Sequence, residues 1–398
     1  MAQRLPQDVI ALITLHLTLD TSEHRHETFA DRRDDARSFA RVCRAWRATG
    51  TAAVWREVEV LDHTSRPIIE HVKAHPELYK HVESVTIEQL YVLQLQDGAA
   101  APSLIASCPR LSRLEIRGRH SPGHQFKALQ DKVDLCKFEE VVLIWPSHYP
   151  SWMSAGAVDR AISPTLLFAF LRACTNLRRF IHDGDQAFIN ETVDAPRGRR
   201  IKLDTLALNL KNPMPTHESD RRSSTLRSRF LLQFDLAHLV SFEAYVNLRD
   251  GDILIALDRM VNLETLRLVD DHELDVAALD ALGGRVGRLV KLRDVDVSDV
   301  PEVECPTSSP ILEAVKRLLD ALPASVERLT LSVPLPEPFA EALLEGRDGL
   351  EHFHARTYDP LEVRPEAHDV HWRKTVEPVY ESADERDELD EENGAEGL

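Results

Sequence analysis

The sequence predicts an α/β chain: a small helical unit, then an elongated array of one repeated strand-bearing unit, then an acidic tail. Three observations predict it. A six-residue pattern, apolar-x-x-apolar-x-apolar, returns ten times along the chain. Segments between the copies open on Ser-Pro and carry apolar residues at helical spacing. The chain, at 398 residues, exceeds the usual single-core domain but fits one repeat array with a small appendage.

The first element is LPQDVIALITLHL, residues 5 to 17. Proline is tolerated in a first helical turn, an aspartate favours the positive end, and Val9, Ile10, Ile13 and Leu17 recur at helical spacing. A polar loop comes next. The second helix carries Phe39, Val42, Cys43 and Trp46 as one apolar stripe, with Gly50 placed as a left-handed stop. Trp55 then sits nine residues beyond Trp46 across a Thr49-Gly50 turn, ahead of the alternating strand EVEV. A unit of this size has barely enough core alone and is more comfortable when a partner covers it.

The repeated pattern begins at Val82, Leu111, Phe138, Leu177, Leu203, Leu239, Leu263, Leu292, Val326 and Leu350, at intervals of 24 to 39 residues. LETLRL, from Leu263, is its most regular copy. Returns such as SPTLLFAFLRAC (163 to 174) and SPILEAVKRLLDAL (309 to 322) offer serine at a cap and proline at the first helical position. Cys108 and Cys174, three residues before their motif leucines, read as small core residues.

These residues carry two resemblances. Leu5-Pro6 with Val9, Ile10 and Ile13, then Phe39, Val42, Cys43, Trp46 and Arg47, then Trp55, resemble the F-box in order and spacing. The strand motifs resemble leucine-rich repeats, so the whole looks like an F-box protein with a divergent leucine-rich-repeat-like C-terminal region of the fungal type. The connecting segment near residues 18 to 35 is longer and more charged than the F-box pattern, and the repeats lack a regular asparagine. The resemblance implies a helical F-box module over 1–58, an irregular solenoid over 59–375 with parallel strands on its concave face and helices and loops on its convex face, and an acidic disordered tail over 376–398. It also implies a Skp-type adaptor as partner, joined through it to a cullin ligase. Leu5, Pro6, Val9, Ile10, Ile13, Val42 and Trp46 would contact that adaptor.

Alternation in each strand assigns the residues opposite the core. They are Arg113, Glu115 and Arg117; Arg179 and Asp183; Glu243 and Tyr245; Arg267; Asp294, Asp296 and Ser298; Arg328 and Thr330; and His352, His354 and Arg356. The expectation is a continuous polar surface with interleaved charges, suited to reading a target protein rather than to forming a deep pocket. Arg113, Arg117 and Arg179 offer a phosphate or an acidic segment charge-assisted hydrogen bonds.

Charge and motif content exclude other classes. The net charge is -18, and the last twenty-two residues hold ten carboxylates against Arg386 alone, so half of that charge lies in a tail too polar to bury a core. An acidic chain is a poor ligand for a phosphate backbone. The run Arg197, Arg199, Arg200, Lys202 reads as an exposed loop or an import signal. Five cysteines, at 43, 108, 136, 174 and 305, without a Cys-x-x-Cys pair or a leader, point to a reducing compartment, cytoplasmic or nuclear. No apolar run approaches a membrane span.

Phosphate-binding loops, nucleotide fingerprints, nucleophile elbows and zinc-protease helices are absent from the sequence. The pairs His352/His354 and His368/His371 lack a carboxylate or thiol companion at fixed register, and Asp270-Asp271 and Asp294-x-Asp296 lack an acid/base partner. No enzyme activity, metal or cofactor is therefore expected. Two readings remain: a substrate receptor of a Skp-cullin-F-box ubiquitin ligase, and a repeat scaffold whose N-terminal helices only cap the array.

Overall fold

The computed structural model describes residues 37–38, 41, 44–60, 65–89, 100–118, 123–144, 164–185, 198–211, 230–246, 248, 251–270, 274–299, 309–345, 347, 349–358, 368–373 and 376–379. The chain divides into two compact units, residues 1–203 with 209–216, and residues 204–208 with 217–398. Among the described residues no helix is long and apolar enough to cross a membrane.

In the first unit a helix, α1 (Arg44–Arg56), runs directly into β1 (Glu57–Val60). Strands β2 (Ser84–Gln89), β3 (Arg113–Gly118), β4 (Glu140–Ile144) and β5 (Arg179–Asp185) come next in chain order, each parallel to the one before. The returns carry α2 (Ser65–Ala74), α3 (Ala100–Ser107), α4 (Gly123–Lys132) and α5 (Pro164–Ala173). Pro164 opens α5, where its fixed φ and missing N–H cost nothing.

The second unit repeats this plan with residues 205–208 of β6 (Thr205–Lys211), then β7 (Ser241–Val246), β8 (Thr265–Asp270), β9 (Asp294–Asp299), β10 (Arg328–Pro336) and β11 (His352–Tyr358), all parallel. Its returns are α6 (Gly251–Leu257), α7 (Val276–Val286), α8 (Ser309–Ala321) and α9 (Glu337–Glu345). Asp275 caps α7 by accepting from the Ala278 amide at 2.8 Å. Two strands then reverse direction: β12 (His368–Arg373) lies antiparallel to β11, and β13 (Val376–Val379) antiparallel to β12.

All ten motifs enter a strand two residues after their first apolar residue. Their three pattern positions are buried throughout, from Val82, Val85 and Ile87 to Leu350, Phe353 and Ala355. The third position of the fourth motif is the exception in chemistry: His182 occupies it, fully buried, with its ring edge-on to Phe180 at 6.5 Å. Cys108 and Cys174 are buried thiols, the former donating to the Leu104 carbonyl at 3.2 Å.

Two hydrogen-bond ladders hold successive turns in register. The backbone ladder uses one carbonyl twice: Glu83 O accepts from the amides of Ser112 and Arg113, and Ser112 O from those of Glu139 and Glu140. In the second unit Val240 O, Glu264 O, Arg293 O and Glu327 O do the same for the next strand in each case. The side-chain ladder uses the residue just before a motif. Lys137 reaches the carbonyls of Ile105 and Cys108, Asn176 that of Cys136, Asn262 that of Ala237, and Ser325 those of Val290 and Leu292. Each bond ties a turn to the turn before it, which is how a quasi-one-dimensional fold gains its stability.

Three expectations are corrected. Gly50 does not stop a helix: it is buried inside α1, lacks positive φ, and the helix continues through Ala52 and Ala53 to Arg56, so Trp46 and Trp55 lie on one helix. Good helix formers beyond the glycine override its local stop signal. The sheet also extends into the segment assigned to the acidic tail, because Val376 and Val379 pair with Arg373 and His371. The alternating Val-Glu-Pro-Val there completes an edge strand before the carboxylate run begins. Parallel order likewise ends at β11: β12 pairs antiparallel with it, and the two-residue link from β12 to β13 permits only antiparallel pairing there as well.

Candidate interaction surface

Strand register converts the alternating residues into rows across each unit. In the first unit one row runs Glu57, Ser84, Arg113, Glu140, Arg179, and the next Glu59, Thr86, Glu115, Val142, Ile181. Arg113, Glu115, Arg117 and Arg179 are thus brought together. Glu115 sits between two guanidinium groups, 3.0 Å from Arg113 Nη2 and 2.6 Å from Arg117 Nε. Arg117 also meets Glu59 at 3.0 Å, and Glu140 lies 3.7 Å from Arg113 and 3.9 Å from Arg179.

This network changes what the row offers. The side chain of Glu115 is only 6% exposed, because the two arginine arms fold over it. It holds the arginines and does not itself face a partner. The three arginines meet three glutamates, so an incoming phosphate would compete with carboxylates already in place. Val142, on the same face, is also buried, and the surface is therefore not uniformly polar.

In the second unit the first row runs Thr205, Ser241, Thr265, Asp294, Arg328, His352, Arg373, and the second Ala207, Glu243, Arg267, Asp296, Thr330, His354, His371. Tyr245, Val269 and Ser298 share a third. Asp294 lies 4.0 Å from Arg267 Nη2 and 3.6 Å from Arg328 Nη2. Asp296 accepts from Ser298 Oγ at 3.0 Å, and burial pushes its carboxyl above the usual range. His352 and His354 lie half-buried in neighbouring rows of one strand. Among the described residues no group of three or more His, Cys, Asp or Glu is arranged to hold a metal ion.

The adaptor-facing expectation falls largely elsewhere in the chain. Leu5, Pro6, Val9, Ile10, Ile13 and Val42 lie outside the described residues. Trp46 is half-buried on α1, and Trp55 stacks on His71 with ring centroids 5.3 Å apart. Arg56, the last residue of α1, pairs with Glu83 at 2.8 Å, and its carbonyl accepts from the Glu83 amide at the same distance. The helix end is thereby tied to the first strand motif.

The ladder-forming residues were missed by sequence reasoning, although a signal exists. The residue before each motif is polar in nine copies and Gly349 in the tenth. At that tenth copy a Cβ would stand 2.9 Å from the Ala324 carbonyl, leaving no room for a side chain.

No family model matches the chain, and no curated protein matches it. Among solved structures it is similar to the TLR13–ssRNA13 complex, with a TM-score of 0.38 and 11% identity over 74% of this chain. The chain spans 38% of the length of that structure. It is also similar to a sugar phosphate isomerase/epimerase from Parabacteroides distasonis, with a TM-score of 0.23, 10% identity, and coverage of 67% of this chain and 97% of that one. By its own strand order, register and buried motif positions, the described chain is a leucine-rich-repeat-like array of parallel strands with helical returns.

Proposed function

We propose that the chain is a substrate receptor of a Skp-cullin-F-box ubiquitin ligase. The N-terminal helices would bind a Skp-type adaptor, and the outer strand rows a target protein. The observation that carries this reading is the ordered set Leu5-Pro6, Val42-Cys43, Trp46-Arg47 and Trp55 ahead of an array whose charged rows lie opposite its core. Such a chain performs no bond chemistry and needs no cofactor: it raises the effective concentration of a target beside a ubiquitin carrier. The reading places it in the cytoplasm, the nucleus or both. Its test is capture of purified Skp-type adaptor by the wild type and by Leu5→Ala/Pro6→Ala.

A second reading rests on a specific contact. The helix α1 continues into β1 and is bonded to the first motif through Arg56 and Glu83, as a return helix would be. On this reading the N-terminal helices are a cap, and the protein is a non-catalytic interaction scaffold.

A further inference from the structure

We propose that His71 and His75, at the end of α2, form a two-histidine clamp for a divalent transition ion, zinc(II) or copper(II), beside Trp55.

The first support is spacing. His71 and His75 stand four residues apart, and the His75 amide donates to the His71 carbonyl at 3.0 Å, so the helical turn between them is intact. Residues at i and i+4 share one face of a helix, which is the spacing at which two imidazoles reach one ion. Val72 is buried and anchors the helix, while both histidines are exposed. Lys73, two residues from each, lies round the helix from both.

The second support is the separation of the two rings, 4.7 Å between centroids with the planes inclined at 45°. An imidazole bound through nitrogen at about 2.0–2.1 Å has its ring centre about 3.2 Å from the ion, so two of them at bond angles between about 90° and the tetrahedral value stand about 4.5–5.2 Å apart. The observed separation falls within that range.

The third support is what holds each ring. His71 stacks on Trp55, the last aromatic residue of α1, with centroids 5.3 Å apart and planes 10° from parallel. His75 Nδ1 lies 3.3 Å from Glu77 Oε1. A neutral His75 that turns an Nδ1 proton toward this carboxylate presents its Nε2 lone pair to an ion, the outer-shell arrangement that orients metal-binding histidines. Glu77 is thus a positioning residue and not a ligand, which agrees with the lack, among the described residues, of any group of three or more His, Cys, Asp or Glu arranged around an ion. Two imidazole nitrogens, with the other positions open to water, suit zinc(II) and copper(II), copper being the tighter. Magnesium and calcium take oxygen ligands and are not expected to bind.

The test is a titration of the untagged full chain with copper(II) and zinc(II) chloride, followed by calorimetry and tryptophan fluorescence. The chain carries 18 histidines in all, so the reading is the difference between wild type and variants. Copper(II) should quench the wild type saturably, zinc(II) should compete the quench away, and magnesium should do neither. Trp55→Phe keeps an aromatic ring beside His71; it should lose the saturable quench and retain the calorimetric binding. His75→Gln, at an exposed position, should weaken binding at least about tenfold, and Glu77→Gln by up to about tenfold, as expected for an exposed outer-shell partner. The electron spin resonance spectrum of the copper-loaded wild type should show two coordinated imidazole nitrogens, an arm that needs no variant. A His75→Gln titration that superimposes on the wild type, a saturable quench that persists in Trp55→Phe, or a copper spectrum without imidazole nitrogen would overturn the proposal.

Discussion

Asn262 donates from Nδ2 to the Ala237 carbonyl at 2.7 Å and accepts at Oδ1 from Lys291 Nζ at 2.7 Å, so one side chain joins three successive turns of the array. An exposed bond of this kind contributes about 1 kcal/mol, and here two are lost together. Asn262→Leu should therefore lower the unfolding free energy by about 1–2 kcal/mol in urea. Lys291→Met should cost less, because Asn262 keeps its bond to Ala237. Equal effects would show that Asn262 acts only through the lysine.

Glycines 284 and 287 lie three residues apart at the end of α7 and should respond in opposite directions. A Cβ at Gly287 would stand 2.7 Å from the carbonyl of Ala321 in α8, while one at Gly284 meets nothing within 4 Å. Gly287→Ala should destabilise by about 1–3 kcal/mol through overpacking. Gly284→Ala should stabilise by up to about 1 kcal/mol, since alanine is the better helix former. Thermal unfolding of the two variants decides this.

His182 makes stability depend on pH. Burial depresses its value from 6.5 to about 4, so the folded protein keeps the ring neutral while the unfolded chain takes up a proton. Its contribution is fully present above about pH 6.5, declines as pH falls toward about 4, and is constant below that, a total of about 3 kcal/mol. His182→Leu should remove this component. The difference in unfolding free energy between wild type and variant, measured from pH 7 to 4, should shift in favour of the variant as pH falls; a constant difference would contradict the assignment.

Glu115 should behave as a support and not as a contact. Glu115→Ala leaves Arg113 and Arg117 without their common carboxylate, and a loss of about 1–3 kcal/mol is expected because the removed partner was buried. The same variant takes one of three carboxylates out of the cluster and leaves Arg117 with Glu59 and Arg113 near Glu140, so the cluster gains net positive charge. Binding of a phosphopeptide should therefore rise in Glu115→Ala relative to wild type, as read by fluorescence anisotropy.

Some of this was legible in the sequence, for physical reasons. The ten motifs mark the ten strands from Ser84 to Tyr358 because three buried positions per copy leave little freedom of register. Alternation gave the face on which Glu115 lies but not its burial, which depends on where two long arginine side chains fold. Gly50 misled because a helix stop is a local signal, whereas α1 is held at its far end by β1 and by the pairing of Arg56 with Glu83. The ladder residues Asn176, Asn262 and Ser325 stood in plain alignment, yet their role depends on which carbonyl of the preceding turn comes within reach. That is a property of stacking. No motif announced β12 and β13, which lie outside the repeat and pair antiparallel, the second of them across a two-residue connection.

The central claim is adaptor binding by the N-terminal helices, and the most direct measurement is a pull-down with purified Skp-type adaptor. The account predicts that the full chain captures the adaptor and that Leu5→Ala/Pro6→Ala, with an unchanged unfolding transition, does not. Failure of the folded wild type to capture it would contradict the receptor reading and leave the N-terminal helices as a cap on an interaction scaffold.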